Sequence, residues 1–256
     1  MNIAVITGAS SGIGKEFFRQ LDAHPYYSDV EEIWVIARRT DRLAELESVC
    51  DRTVRAISLD LSSKESIKEY AKLLEQTGAY VRVLVNAAGF GRFHEFETMN
   101  IDDAYDMVAL NSASLTAMVH ASLPFMGSGC EIYNMGSLSS FQPVPYISVY
   151  GASKAYVLAF SRAVGRELKS RGIKMLAVCP GWVRTEFFDH AVSDDTITYY
   201  NRFYDPDQVV KRAIYDMARG KDVSVCGFPV RAQVLAVKML PHKMVMNIWC
   251  KQQKKD

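Results

Sequence analysis

No apolar run in this chain approaches the ~18 residues that a membrane-spanning helix needs. Its five cysteines, at positions 50, 130, 179, 226 and 250, are widely spaced and never form a Cys-x-x-Cys pair. That spacing argues against a zinc ribbon and a disulfide framework alike. Cys130, Cys179 and Cys226 lie in or beside apolar runs, where cysteine acts as a small hydrophobe, and the pattern fits a reducing cytosol. A charge excess of one sign is also missing. Thirty Lys and Arg against 29 Asp and Glu leave +1, so no global field favours nucleic acid or an anionic membrane. There is no internal repeat and no linker rich in Gly, Ser or Pro. The opening residues Met1–Thr7 run directly into a glycine turn, with no basic segment and cleavage site. We therefore expect no signal peptide and a cytoplasmic location. His94 and His190 have no carboxylate–histidine ligand set at motif spacing, so no metal site is expected.

What is present is globular and enzyme-sized: 256 residues, 49% hydrophobic and 23% charged. Short β-branched runs alternate with helix-length amphipathic segments. Strands are expected over Ile3–Thr7, Glu32–Ala37, Thr53–Leu59, Val81–Asn86, Cys130–Met135, Lys174–Val178 and Val223–Cys226. Helices are expected over Ile13–Ala23, Asp41–Cys50, Ser62–Gln76, Ile101–Phe125, Val149–Ser170 and Asp205–Gly220, the last with Pro206 in its first turn. Seven apolar strands joined by helices call for right-handed crossovers and a parallel sheet covered on both faces. The fold class is α/β, one doubly wound domain.

Gly8, Gly12 and Gly14 follow the first strand and open the first helix. Glycine lets backbone approach a pyrophosphate, and the helix start supplies free N–H groups and a positive dipole end. The spacing is G-x-x-x-G-x-G, not the common dinucleotide fingerprint. At the end of the second strand an NAD site would carry an acid for the ribose 2′-hydroxyl. Here Arg38 and Arg39 stand there, and two guanidinium groups suit a 2′-phosphate. NADP(H) is favoured over NAD(H).

Tyr150 and Lys154 are spaced i, i+4 on a predicted helix and share one face. A tyrosine hydroxyl titrates near pH ~10, and a nearby ammonium is expected to lower that value. Ser137 lies 13 residues earlier, just past the apolar strand, where open α/β sheets bind ligands. Together Thr7–Gly14, Asp60, Asn86-Ala87-Ala88-Gly89, Asn111, Ser137, Tyr150/Lys154 and Pro180-Gly181 resemble the short-chain dehydrogenase/reductase family, in order and interval, over about residues 2 to 228.

That resemblance implies a Rossmann-type fold, a nicotinamide cofactor and reversible carbonyl–alcohol chemistry on a small molecule. It implies that Tyr150 is the general acid for reduction, that Lys154 lowers its pKa and holds the nicotinamide ribose, and that Ser137 polarises the carbonyl. Asn111 would hold a water leading from Lys154 to bulk. Ser139 and Ser140 could also reach the pocket, but Ser137 matches the motif position. Asp60, with Leu61 beside it, would bond the adenine amino group. Asn86, Ala87, Ala88 and Gly89 would line the cofactor groove beside Gly8, Ser11, Gly12, Ile13 and Gly14. Pro180-Gly181, with Val183 and Thr185, would hold the carboxamide. NADP-dependent members can carry a base where this chain has Ser11, so Arg38 and Arg39, with Ser10, must take the phosphate. The resemblance also implies a homodimer or homotetramer. Residues 1–110 would form mainly the cofactor half, 111–228 the catalytic half and lid, and 229–256 a helical tail.

The substrate signal is thinner. Between Thr185 and Asp205 stand Phe187, Phe188, Tyr199, Tyr200, Phe203 and Tyr204, in the segment that serves the family as a lid. They fit an apolar, closable pocket for an apolar or ring-containing ketone, and equally the packing of a docked lid. The alternatives are a 3-oxoacyl or fatty-acyl type reductase and a non-catalytic NADP(H) sensor. The tail mixes Val234, Leu235, Val237, Met239, Leu240, Met244, Val245, Ile248 and Trp249 with Arg231, Lys238, Lys243 and Lys251. A helix packed on the body or on a second subunit is the simpler reading, and a partner-facing or membrane-surface helix is the other.

Overall fold

The computed structural model describes residues 1–50, 52–192 and 194–255. Seven parallel strands form the main sheet: β1 (Asn2–Thr7), β2 (Glu32–Ala37), β3 (Thr53–Ser58), β4 (Tyr80–Asn86), β5 (Glu131–Met135), β6 (Lys174–Val178) and β9 (Val223–Ser224). Their order is β3-β2-β1-β4-β5-β6-β9. The sheet grows outward in both directions from β1, which places the switch of direction beside the glycine turn. In register, Val5 sits opposite Trp34 on one side and Leu84 on the other.

Whereas the edge strand β3 has no buried residue, the central strands β1, β2 and β4 are mostly apolar because both faces are covered. Alternation divides them: Ala4 and Ile6 enter one core, Ile3 and Val5 the other. The first core packs the sheet against α1 (Gly12–Ala23), α2 (Thr40–Glu47) and α8 (Pro206–Ala218), through Phe17, Leu21, Leu43 and Val210. The second packs it against α3 (Lys64–Thr77), α5 (Leu115–Ser122) and α6 (Ser148–Glu167), through Tyr70, Leu74, Met118 and Phe160. A smaller aromatic cluster around Phe93, Ile147 and Ile197 includes Tyr150, Trp182, Phe187 and Trp249.

Three elements differ from the expectations. The helix predicted as continuous over Ile101–Phe125 is α4 (Ile101–Val108), a π-helical stretch over Ala109–Ser114, α5, and a 3-10 turn over Leu123–Phe125. Ser114 sits in that stretch and donates its hydroxyl to the Ala109 carbonyl at 2.9 Å. Two added strands, β7 (Trp182–Val183) and β8 (Phe203–Tyr204), pair in parallel and tie the two ends of the lid segment, which contains α7 (Phe187–Ala191). The tail is two helices, α9 (Phe228–Met239) and α10 (His242–Gln252), parted at Leu240-Pro241 because proline cannot continue a helix from its interior. No helix among the described residues is long and apolar enough to cross a membrane.

Candidate active site

The cofactor end is built from the turn after β1. Gly8 and Gly12 adopt φ of +66° and +53°, where other residues are strained. A β-carbon on Gly14 would stand 2.2 Å from the Gly8 carbonyl oxygen, so only glycine allows this crossing. The first turn of α1 has no capping side chain from Ser11, which leaves its N–H groups for a ligand. Thr7 fastens the neighbouring loop, its hydroxyl oxygen accepting from the Ala87 and Ala88 amides at 3.1 Å each.

At the end of β2, Arg39 donates to Ser10 Oγ at 3.1 Å and to Glu186 at 3.0 Å. Asp60 accepts from the Ser62 amide and hydroxyl at 3.0 and 2.8 Å. Partial burial works against ionisation, but those bonds and the Arg38 charge hold its carboxyl below the usual value. Gly8, Ser10, Ser11, Gly12, Ile13, Gly14, Arg38, Arg39, Asp60, Leu61, Ala87, Ala88 and Gly89 all line one cavity of about 430 Å³. Pro180, Gly181, Val183 and Thr185 line it from the segment after β6.

Asn86 does not line it, contrary to expectation. Its amide reaches across the sheet to Asn134 Oδ1 at 2.9 Å, because the last residue of β4 is still in register with β5. Asn134 in turn donates to Ser161 on α6 at 2.9 Å. Asn86 is therefore part of the framework, not of the groove.

The chemical end lies where β5 stops. Ser137 caps the 3-10 turn Leu138–Phe141: its hydroxyl oxygen accepts from the Ser139 amide at 3.2 Å, while Ser140 Oγ accepts from the Ser137 amide at 3.1 Å. Ser140 then donates to the Lys154 carbonyl at 2.8 Å. This turn is thereby pinned to α6, which carries Tyr150 and Lys154 one turn apart. Lys154 Nζ donates to the Met135 carbonyl at 2.9 Å and lies 5.7 Å from the Tyr150 ring centre. Ser137, Tyr150 and Lys154 all face the cavity.

Burial pushes the Tyr150 hydroxyl up to about 12, with the Ser137 hydrogen bond acting in the other direction. Burial also brings Lys154 down to about 8. The expectation that Lys154 draws the tyrosine below its ordinary value is thus not met by the protein groups. Desolvation outweighs any stabilisation of the phenolate, so Tyr150 is held protonated at neutral pH.

Asn111 is fully buried and lies behind the cavity wall. Its Oδ1 accepts from the Phe90 amide at 3.0 Å, and its Nδ2 donates to the Phe90 carbonyl and Ser153 at 2.9 and 3.2 Å. The side chain is committed to clamping the loop after β4 against α6. Gly89 belongs to the same contact, where a β-carbon would come within 2.7 Å of Asn111 Oδ1.

Beyond Tyr150 the cavity is bounded by Phe90, Phe93, Trp182, Phe187, Phe188 and Tyr199, and closed by Gln233, Trp249 and Gln252 from the tail. Gln142, Val144, Ile147 and Asn201 add to that wall. Sequence reasoning missed the tail residues because no motif reaches them. Trp249 within an amphipathic stretch was the one available signal. Trp249 Nε1 donates to the Pro145 carbonyl at 3.0 Å, beside Tyr146, whose φ of +68° is unusual for an aromatic residue. His190 lines the cavity, whereas His94 contacts Asp194 at 3.0 Å.

Comparison with known proteins bears directly on this geometry. The family model described as short chain dehydrogenase matches residues 2–196. The chain belongs to the short-chain dehydrogenase family. Among its relatives, sulfoacetaldehyde reductase 2 of Chromohalobacter salexigens is 31% identical over 206 residues, covering 75% of this chain and 79% of the relative. A short-chain dehydrogenase from Sphingobium yanoikuyae in complex with NADPH superposes with a TM-score of 0.79 at 26% identity, covering 96% and 95% of the two chains. The bulky-bulky ketone specific alcohol dehydrogenase from Comamonas testosteroni gives 0.71 at 26% identity, covering 88% and 86%. This short-chain dehydrogenase is accordingly an NAD(P)-dependent oxidoreductase. The glycine cradle, the uncapped start of α1 and the basic pair after β2 fit such a dinucleotide.

Proposed function

We propose that the enzyme interconverts a ketone and a secondary alcohol with NADP(H), with Tyr150 as general acid and base. The supporting observation is the convergence of Ser137, Tyr150 and Lys154 at one end of a cavity whose other end carries Arg38 and Arg39. The bound nicotinamide would supply or accept the hydride. Tyr150, kept protonated by burial, gives its proton to the alkoxide oxygen that forms on reduction. Ser137 Oγ accepts from the Ser139 amide and its O–H bonds the Tyr150 oxygen, so the same O–H can turn to polarise a carbonyl oxygen placed between them. Lys154 places a buried cation beneath both and, with Asp60 and Thr185, belongs to the cofactor side. Ala87, Ala88, Gly89, Pro180, Gly181 and Val183 shape the groove between the two ends. We read the chain as one cofactor-binding domain.

The substrate on this reading is a ketone with apolar or ring-containing arms. Among the described residues that line the cavity, the basic side chains are Arg38, Arg39, Lys154 and His190. None of the three strong bases is among the aromatic residues and tail glutamines beyond Tyr150, where a small sulfonated aldehyde would need one. The aromatic wall suits the kind of compound named for the Comamonas enzyme.

The test is NADPH oxidation by purified protein against a panel of cyclic, aryl and acyl-thioester ketones. Tyr150→Phe should remove nearly all turnover while leaving NADPH affinity within a few-fold, and retained turnover would refute the assigned acid. In the same assay Arg38→Ala with Arg39→Ala should weaken NADPH far more than NADH. Equal losses would refute the 2′-phosphate assignment.

A further inference from the structure

The two tail helices carry a second apolar stripe that no core uses. On α9, Val230, Val234 and Val237 face the body and are buried. Phe228, Leu235 and Met239 recur at helical spacing on the opposite side, exposed to 75%, 62% and 78%. Leu240 at the break, and Met244 and Ile248 one turn apart on α10, are exposed as well. Six large apolar side chains thus face solvent along one short stretch of chain, where lone exposed residues would need no explanation.

The charge around them is one-sided. From Phe228 to Lys255 the sequence holds Arg231, Lys238, Lys243, Lys251, Lys254 and Lys255, and no Asp or Glu. The whole chain carries only +1, so everything outside this segment is net acidic. Arg231 and Lys238 flank the α9 stripe, while Lys243 and Lys251 stand on α10 beside Met244 and Ile248; all four are exposed. Lys255 pairs with Glu95 at 3.7 Å, whereas Arg231, Lys238, Lys243 and Lys251 make no ion pair among the described residues. An apolar face rimmed by these four cations is complementary to acyl chains beneath anionic headgroups. A second copy of this chain is a poor occupant. A two-fold contact would bring the same basic rims face to face, with no acid within the segment to neutralise them.

We infer that α9 and α10 seat the protein in the plane of an anionic lipid surface, with Phe228, Leu235, Met239, Leu240, Met244 and Ile248 entering the headgroup boundary. The same helices supply Gln233, Trp249 and Gln252 to the wall of the cavity, so docking sets the pocket's outer end beside the membrane. The inference does not depend on the redox reading, and its measurement involves no turnover.

The experiment is sedimentation of the full chain with phosphatidylcholine vesicles, plain or doped with phosphatidylglycerol, at low and high salt. Binding to the doped vesicles alone is expected, falling as salt rises. Lys238→Glu with Lys243→Glu should cut that binding ~100-fold or more, since each basic charge near such a surface contributes roughly five-fold. Leu235→Gln with Met239→Gln should cut it at least ten-fold with unchanged melting temperature and NADPH binding, as expected for exposed residues outside the cofactor site. Absence of binding to doped vesicles at low salt would overturn the inference. So would equal binding to plain vesicles. A lipid-independent dimer that Leu235→Gln and Met239→Gln dissolve, or binding to polyglutamate but not to vesicles, would assign the stripe to a protein instead.

Discussion

Lys154 is the residue whose structural and chemical roles conflict most openly. Its ammonium is buried beside the Met135 carbonyl, with no carboxylate bonded to it among the described residues. Its pKa falls from the ordinary 10.5 to about 8 through desolvation. Between those values the unfolded chain binds the extra proton, so stability rises as pH climbs through that window, and the full cost applies below about 8. Lys154→Met should therefore make the protein more stable at neutral pH, by about 1–3 kcal/mol, while removing turnover. The advantage should shrink as pH passes through the window toward the ordinary lysine value. Chemical denaturation across that range checks it, and a variant no more stable than the parent at neutral pH would show that the Met135 bond outweighs desolvation. Tyr150 is held protonated by the same burial. On the proposed mechanism the site thus keeps its proton donor loaded and its cation desolvated in one apolar environment.

At the scale of elements, the lid depends on the tail. Gln253 is 1% exposed and makes three bonds to the segment between β7 and β8. Its Oε1 accepts from the Thr198 and Tyr199 amides at 2.9 and 3.0 Å, and its Nε2 donates to the Tyr199 carbonyl at 3.2 Å. Gln253→Ala should leave NADPH affinity within two-fold but speed amide hydrogen exchange at Thr198 and Tyr199 by ~10–100-fold, as expected for losing buried hydrogen bonds of about 1 kcal/mol each. Unchanged exchange there would mean that aromatic packing alone holds the lid.

Other elements show what can and cannot be read from the chain. The central strands were legible because a strand buried on both faces reads as an apolar run, as in Ile33–Ile36, and the exposed edge strand β3 was legible from its β-branched Thr53, Val54 and Ile57. Strands β7 and β8 were not, since two residues carry no periodicity. The π-helical stretch was hidden inside Ile101–Phe125 because one extra residue per turn barely disturbs an amphipathic pattern. The site divides in the same way. Glycines, arginines, Ser137, Tyr150 and Lys154 were legible as motif positions, and the structure brings them to one cavity. The inward turn of Asn86 and the framework bonds of Asn111 depend on neighbours that only folding supplies. So does the link from Ser140 to the Lys154 carbonyl.

Across the whole molecule, the two ends of the cavity are joined by one ion pair. Arg39, at the end of β2, bonds Glu186, the residue before α7 in the lid. Both side chains are about two-fifths exposed, so the pair contributes no more than about 1 kcal/mol. A 2′-phosphate that claims Arg39 must compete with the Glu186 carboxylate. Glu186→Gln should consequently tighten NADPH by ~3–5-fold and leave NADH unchanged, which titration of intrinsic fluorescence would resolve. An equal change for both cofactors would show that Glu186 acts on the lid and not on the phosphate.

The wall formed by Gln233, Trp249 and Gln252 has an evolutionary consequence. The family match ends at residue 196, so Tyr150, Lys154 and the glycine turn lie inside the shared portion and these three residues lie outside it. One part of the cavity wall is therefore inherited on a different stretch of the gene from the rest, since Phe90, Phe93, Trp182, Phe187 and Phe188 lie inside the shared portion. Drift in the tail can reshape that part of the wall without touching Ser137, Tyr150 or Lys154. A recombination that exchanged tails between relatives would replace the Gln233, Trp249 and Gln252 wall and leave the Ser137, Tyr150 and Lys154 cluster in place.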